Sequence, residues 1–186
     1  MTESGVNELT APRETLSPLP PVVPIVGYSG SGKTTVLEKL ISELTRRGYR
    51  VGTIKHHSHD FEMDVPGKDT WRHKQSGALT TLISSPRRIG MVRDVVTEMK
   101  LEELLPLIVG VDIILVEGFK QVKRQKIEVF RPEISKTPAC EGDENLVALI
   151  SDTPLDLGVP RFSPHDIPAM ADFIVTHFNL GGRWGL

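Results

Sequence analysis

The chain has 186 residues, enough for one domain with a sizeable buried core, and its formal net charge of −2 lacks the basic excess typical of nucleic-acid binding. A single cysteine, Cys140, excludes an internal disulfide framework and a cysteine-based zinc finger. No apolar run is long enough to span a bilayer and the first residues lack the apolar core of a signal peptide, so we expect a cytoplasmic protein without a membrane partner.

The first 21 residues contain four prolines among Ser, Thr and Glu and show little apolar periodicity. Segments of this composition do not bury enough apolar surface to fold, so residues 1–21 are predicted to form a disordered leader. A nucleotide-binding domain is predicted for residues 22–180, and a flexible tail for residues 181–186.

A phosphate-binding loop, the P-loop, is predicted between the first strand and the first helix. The apolar run 22–26 predicts a buried strand, and Pro24 is assigned to its first residue because proline lacks the donor that a strand interior needs. Residues 27–34 then read Gly-Tyr-Ser-Gly-Ser-Gly-Lys-Thr, which fits the pattern G-x-x-x-x-G-K-[ST]. One face of the following helix is apolar, with Val36, Leu37, Leu40, Ile41 and Leu44. This context predicts that the chain binds a nucleoside triphosphate.

The residue types of the loop suit that chemistry. Glycines let the backbone curl so that its N–H groups face phosphate oxygens, Lys33 can reach the β- and γ-phosphates, and the Thr34 hydroxyl can bind Mg²⁺. The predicted nucleotide-binding residues of the loop are Gly27, Ser29, Gly30, Ser31, Gly32, Lys33, Thr34 and Thr35.

Strands and helices alternate after the loop. Strands are predicted at 51–55, 79–83, 113–116, 126–131 and 146–150, and helices at 69–76, from a cap at Thr97 to Ile108, and after Asp166. In the run 126–131, Ile127 and Val129 alternate with Glu128 and Phe130. The order predicts an α/β protein with the P-loop NTPase fold, in which a mainly parallel sheet is covered by helices on both faces.

An acidic residue at the carboxyl end of a buried strand is the second element that P-loop chemistry needs. Glu117 directly follows the apolar run 113–116. A carboxylate there can hold Mg²⁺ or orient the attacking water. We favour a magnesium site formed by Thr34 and Glu117, and the alternative is a carboxylate that caps the turn. The predicted catalytic residues are therefore Lys33, Thr34 and Glu117.

The densest polar segment, residues 55–73, follows the second strand, and loops at carboxyl strand ends line the ligand crevice of α/β folds. Lys55 and His56 are predicted to contact the nucleotide. A docking surface for a partner is an alternative role for the segment. Metal binding by its histidines is another, although their spacing matches no standard zinc motif.

Asp152 follows the late apolar run 146–150. In guanine-specific P-loop proteins an aspartate at such a strand end accepts hydrogen bonds from the base, although the Asn-Lys pair that usually precedes it is missing here. Asp152 is predicted to read guanine, and the alternative is an aspartate that starts a turn. Four arginines are candidates for a phosphate contact, and the sequence does not choose among them: Arg87, Arg88, Arg93 and Arg124.

Together these segments resemble the MobB family, molybdopterin-guanine dinucleotide biosynthesis protein B. The matching segments are residues 27–35, 53–57, 64–73, 116–120 and 126–131, within a resemblance that runs from about residue 24 to residue 178. P-loops are widespread, whereas Pro-Gly-Lys-Asp-Thr-Trp-Arg-His in combination with Val-Glu-Gly-Phe-Lys is specific.

The resemblance implies a homodimer that binds GTP with Mg²⁺, hydrolyses it slowly and assists the guanylyl transferase that joins GMP to molybdopterin. Molybdopterin or its guanine dinucleotide is a further ligand that the resemblance implies. Slow hydrolysis agrees with the residues, because no glutamine or arginine finger is identifiable. Two alternatives stay open. One is a small-molecule kinase that uses ATP, with Arg87 or Arg124 in its lid, and the other is a metallochaperone GTPase whose metal is bound by His56, His57 and His59.

Overall fold

A computed structural model describes residues 19–181; the predicted leader and tail lie outside this range except for residues 19–21 and 181. The strands are β1 (Val22–Val26), β2 (Val51–Lys55), β3 (Thr80–Ser85), β4 (Arg88–Arg93), β5 (Ile113–Glu117), β6 (Lys126–Val129), β7 (Leu146–Ile150) and β8 (Arg161–Phe162). The helices are α1 (Lys33–Arg46), α2 (Asp69–Gln75), α3 (Leu101–Leu104), which a 3₁₀ turn (Leu105–Leu107) continues, and α4 (Ile167–His177).

Six strands form a sheet in the order β2-β5-β1-β6-β7-β8, and every neighbouring pair is parallel. Helices α1 and α4 pack on one face of this sheet, and α3 packs on the other against Val22, Ile114 and Val116. The predicted α/β fold is confirmed. Because all six strands run the same way, the P-loop, Lys55, Glu117 and Asp152 come to the same edge of the sheet.

The position of Pro24 differs from the prediction, because it lies in the middle of β1 and not at its start. The carbonyls of Pro21 and Ile25 accept hydrogen bonds from Ile114 and Gly118 on the β5 side, at 2.9 and 3.2 Å. Backbone polar groups of successive strand residues point to opposite neighbours, so the backbone nitrogen of Pro24 points towards β6. The pairing of β6 with β1 begins only at Ile25. The missing N–H of Pro24 therefore falls outside the hydrogen-bonded ladder.

The strand predicted at 79–83 exists, but it does not join the parallel sheet. It is β3, and it pairs antiparallel with β4, a strand that we did not predict, in a separate two-stranded sheet. The predicted cap at Thr97 is wrong. Helix α3 begins at Leu101 with Lys100 at the N-cap, because the Glu103 carboxylate accepts a 2.7 Å hydrogen bond from the Lys100 N–H.

Strand β6 is buried on both faces, although an alternating pattern usually marks a half-exposed strand. Lys126 and Glu128 lie under the loop that follows the strand and are almost fully buried. The Lys126 ammonium pairs with Asp143 at 2.8 Å and donates to the Lys120 carbonyl at 3.1 Å. The hydrogen bond from Lys126 to the Asp143 carboxylate is the main reason why the pKa of Asp143 falls to about 2. The Glu128 carboxylate accepts from two backbone N–H groups of the loop, at 2.6 and 2.8 Å. Both buried charges are thus satisfied.

Candidate nucleotide site

The P-loop is held closely against β6, and this contact requires glycine at its first position. Gly27 has φ +136°, and a Cβ there would lie 2.3 Å from the Val129 carbonyl oxygen. Gly32 has φ +94° and forms the N-cap of α1. The curled backbone therefore leads directly into the helix N-terminus, where N–H groups without helical partners can meet an anion.

Lys33 folds back over the loop. Its ammonium donates to the Gly27 carbonyl at 3.1 Å and to the Tyr28 carbonyl at 2.8 Å. Burial lowers the pKa of Lys33; the nearby Glu117 carboxylate opposes this shift and Lys55 adds to it. A partly desolvated ammonium next to a curled loop is suited to pair with phosphate oxygens.

Thr34 and Glu117 approach each other from neighbouring elements, since β1 and β5 are adjacent. The Thr34 hydroxyl donates to Glu117 Oε1 at 2.9 Å, and Lys55 Nζ lies 3.5 Å from the same oxygen. Adjacent ligand oxygens of an octahedral Mg²⁺ are about 3 Å apart, given Mg–O bonds of about 2.1 Å. The Thr34 and Glu117 oxygens therefore fit the magnesium role predicted for them.

A cavity of about 530 Å³ unites most of the predicted site residues. It is lined by Gly27, Ser29, Gly30, Gly32, Lys33, Thr34, Thr35, Lys55, His56, His57, Ser58, Glu117 and Gly118. Loops from β1, β2 and β5 thus form one crevice, as the strand order requires. We call it the phosphate cavity.

Ser31 and Asp152 line a second, smaller cavity of about 210 Å³, which we call the side cavity. The Ser31 hydroxyl is buried there without a hydrogen-bond partner. Asp152 is 62% exposed, its carboxylate accepts from the Ser163 hydroxyl at 2.7 Å, and the His165 ring nitrogen lies 3.8 Å away. The predicted guanine reader therefore lies beside the phosphate cavity and not in it.

The histidines of segment 55–73 point to different partners. His56 contacts the Glu98 carboxylate and lies against the Phe119 ring, 4.4 Å between centroids. The His57 ring accepts from the His59 N–H at 3.1 Å. Within residues 19–181, no group of three or more His, Cys, Asp or Glu side chains could hold a metal ion.

None of the four candidate arginines lines either cavity. Arg88 and Arg93 belong to β4, Arg87 precedes it, and Arg124 pairs with Glu102 at 3.3 Å. Sequence reasoning missed Arg131, which lines the side cavity. The signal was present, because Arg131 follows the end of β6 just as Glu117 and Asp152 stand at the ends of β5 and β7.

The comparison with protein families decides what kind of P-loop protein this is. Residues 22–152 match the model of "Molybdopterin guanine dinucleotide synthesis protein B". The chain belongs to the MobB family. It is therefore an adapter protein of molybdopterin-guanine dinucleotide biosynthesis.

Curated MobB-family relatives match over most of their length. A molybdopterin-guanine dinucleotide biosynthesis adapter protein of Haemophilus influenzae is 40% identical over 164 residues, which are 86% of this chain and 92% of that protein. A protein of the same description from Escherichia coli is 37% identical over 162 residues, which are 83% of this chain and 91% of that protein.

Solved MobB structures have the same fold. The crystal structure of a MobB homolog from Bacillus stearothermophilus superposes with a TM-score of 0.63 at 28% identity, over 85% of this chain and 97% of that chain.

The helices of residues 19–181 in the present chain are too short or too polar to cross a bilayer.

Proposed function

We propose that this adapter binds GTP with Mg²⁺ at the P-loop, hydrolyses it slowly and serves, as a homodimer, the guanylyl transferase of molybdopterin-guanine dinucleotide biosynthesis. The observation that carries the proposal is the convergence of Lys33, Thr34 and Glu117 on one cavity at the carboxyl edge of a parallel sheet. Such an edge is where open α/β sheets bind their ligands.

The phosphates would lie along the P-loop. The N-terminus of α1 faces them with free N–H groups, and Lys33 exchanges its two carbonyl partners for phosphate oxygens. Thr34 and Glu117 would hold the Mg²⁺, which neutralises charge on the phosphates when it is bound. Lys55, whose Nζ lies 3.5 Å from Glu117 Oε1, adds a second positive charge beside the phosphates.

Base selection is proposed for Asp152. A carboxylate can accept from both the ring N–H and the amino group of guanine, an arrangement that adenine does not offer. The Ser163 hydroxyl fixes the orientation of Asp152 through a 2.7 Å hydrogen bond. We expect Asp152→Asn to weaken GTP binding much more than ATP binding, and equal losses for the two nucleotides would refute base reading.

Slow hydrolysis is supported by the side chains that line the phosphate cavity. The cationic residues that line the phosphate cavity are Lys33 and Lys55, and none of the lining residues is arginine or glutamine. Fast GTPases use such residues to orient water and to stabilise the charge that develops in the transition state. A cavity without them suits a protein that holds its nucleotide.

The dimer is proposed to form through the hairpin β3–β4. Leu82, Ile89 and Met91 share one face of it, because Leu82 pairs with Met91 and Ser84 with Ile89. All three are exposed, Ile89 to 78%. An isolated hairpin with an exposed apolar face is marginally stable in water, and a second copy would cover this face. We expect Ile89→Glu to halve the mass measured by light scattering, whereas Arg88→Glu on the opposite face leaves it unchanged. A wild-type monomer would refute the dimer.

The transferase is proposed to dock beside the phosphate cavity, on segment 55–73. Three large apolar side chains of this segment are exposed: Phe61, Met63 and Val65. Residues of the same segment, His56, His57 and Ser58, line the cavity. A partner on this surface would therefore sense the bound nucleotide through one continuous stretch of chain.

The deciding experiment is equilibrium binding of GTP and ATP with Mg²⁺ to the purified protein, with phosphate release followed for hours in the same samples. A strong preference for GTP with slow release is the expected result. Tight ATP binding with little hydrolysis would refute the proposal in favour of a kinase that awaits its acceptor. Stoichiometric binding of a transition metal without nucleotide would favour the metallochaperone.

A further inference from the structure

We infer that Arg131 is a nucleotide-binding residue that contacts the α-phosphate from the side cavity. The inference rests on the proposed function, since it concerns the same nucleotide. The Arg131 guanidinium lies against the P-loop, 3.2 Å from the position that a Cβ of Gly32 would take. It also lines the side cavity together with Asp152. Arg131 thus stands between the phosphate loop and the proposed base reader.

The segment around Arg131 is firmly attached to the P-loop. The Val129 carbonyl lies under Gly27, and the Ile134 side chain would contact a Cβ of Gly30 at 3.4 Å. The Arg131 carbonyl accepts from the Ile134 and Ser135 N–H groups, at 3.1 and 3.3 Å, which closes a turn after β6. The backbone of Arg131 is thereby held next to the loop.

The guanidinium has no competing partner. Among residues 19–181, no hydrogen bond or ion pair engages the Arg131 side chain, although Glu133 and Asp152 line the same cavity. The hydroxyl of Ser31 is buried in the wall of this cavity, also without a partner. Arg131 is exposed, whereas Ser31 is almost fully buried, and an unpartnered buried hydroxyl is uncommon in folded proteins. A ligand oxygen here would satisfy Ser31.

The order of groups along a nucleotide assigns the contact. Lys33 serves the β- and γ-phosphates, and Asp152 the base, so a residue between them faces the α-phosphate and the ribose. The α-phosphate is the anionic group of that portion, and a guanidinium binds phosphate oxygens through two parallel N–H donors. Arg131 also offsets the repulsion that Glu133 and Asp152 exert on a phosphate. In guanine-specific P-loop proteins a lysine usually lies just before the base-reading aspartate, and this chain lacks it before Asp152. Arg131, which follows the neighbouring strand β6, places a positive charge near Asp152 instead.

The test is calorimetric titration of the full chain and of Arg131→Gln with GTP, GDP, GMP and guanosine. A contact with the α-phosphate predicts that the affinities for GTP, GDP and GMP fall by the same factor, about tenfold or more, while guanosine binds equally to both proteins. Arg131→Lys should recover part of the loss, since it keeps the charge but not the fork of donors. A merely structural role would lower the melting temperature without nucleotide and would not distinguish GDP from guanosine.

Arg124→Gln is the matched control, because it removes the same charge from an arginine that pairs with Glu102 and lines neither cavity. It should leave all affinities within about twofold. If wild type and Arg131→Gln bind GMP with equal affinity, the inference about Arg131 is wrong while the proposed function stands, and a loss confined to GTP and GDP has the same meaning. A wild type that binds neither GTP nor GDP would refute the proposed function itself.

Discussion

Replacement of Lys33 by methionine should separate nucleotide binding from folding. Methionine keeps most of the length of the lysine side chain and removes the charge. The ammonium makes two hydrogen bonds to the Gly27 and Tyr28 carbonyls, but burial lowers its pKa. A lysine whose pKa is lower in the folded chain than in the unfolded chain disfavours folding when it is charged. The variant is therefore expected to unfold with a free energy within about 1 kcal/mol of the wild-type value, since the lost hydrogen bonds and the relieved desolvation offset each other.

Binding should change much more. A hydrogen bond to a charged group contributes about 1.5–3 kcal/mol, which corresponds to an affinity loss of about 10- to 150-fold for GTP. GDP should lose affinity as well, because the lysine also reaches the β-phosphate, and guanosine should not.

Calorimetric titration with Mg²⁺ measures these affinities, and urea denaturation of the nucleotide-free protein measures stability. Lys39→Met is the matched control, because Lys39 lies exposed on the same helix, outside the phosphate cavity. Unchanged GTP affinity in Lys33→Met would show that the Lys33 ammonium does not bind the phosphates. A loss of several kcal/mol of stability would instead show that its two carbonyl hydrogen bonds outweigh its desolvation.

Three further substitutions test other parts of the structure. Gly27→Ala should lower the free energy of unfolding in urea by about 2–4 kcal/mol, because Gly27 has φ +136° and its new Cβ would lie 2.3 Å from the Val129 carbonyl oxygen. Gly48→Ala is the control, since Gly48 has φ +90° but open space around it, and it should lose only about 1 kcal/mol. Equal losses in the two variants would show that the contact with Val129 does not matter. Asp143→Asn should cost about 3 kcal/mol at pH 7, because it leaves the buried ammonium of Lys126 without its counter-ion. Since the pKa of Asp143 falls from 3.8 to about 2 on folding, this stabilisation is present above pH 3.8 and is lost as the pH falls towards 2, so the gap between wild type and variant should close over that interval; a gap that stays constant would exclude the pairing as its cause. Glu117→Gln should abolish the dependence of GTP affinity on Mg²⁺ while Mg²⁺-free binding persists, and an unchanged response to Mg²⁺ in calorimetric titration would remove Glu117 from the metal site.

Local geometry explains why the phosphate loop was predictable. The spacing of Gly27, Gly32, Lys33 and Thr34 is set by the curl of one short backbone segment, so the chain alone carries the whole pattern. The positions of Glu117 and Asp152 at strand ends follow from a rule that is almost as local, since the end of each apolar run marks the end of a strand. Parallel order then brought both residues to the same edge of the sheet.

Contacts between distant segments were not predictable in the same way. Strand β6 has an alternating sequence that is typical of a half-exposed strand, yet its polar face is buried because a loop folds over it and satisfies Lys126 and Glu128. Pro24 is tolerated inside β1 because β6 begins to pair one residue later. Strand β3 pairs antiparallel with β4 and therefore lies outside the main sheet. The periodicity of the β3 sequence does not indicate this partner.

The pattern of the chain specifies a P-loop motif and an acidic residue at the end of a buried strand, and it places the protein in the MobB family. The folded structure was needed to show that Lys33, Thr34 and Glu117 line one cavity while Asp152 and Arg131 line another. This arrangement follows from the strand order, because β1 lies between β5 and β6. Glu117 at the end of β5 and Arg131 after β6 therefore approach the same loop from opposite sides.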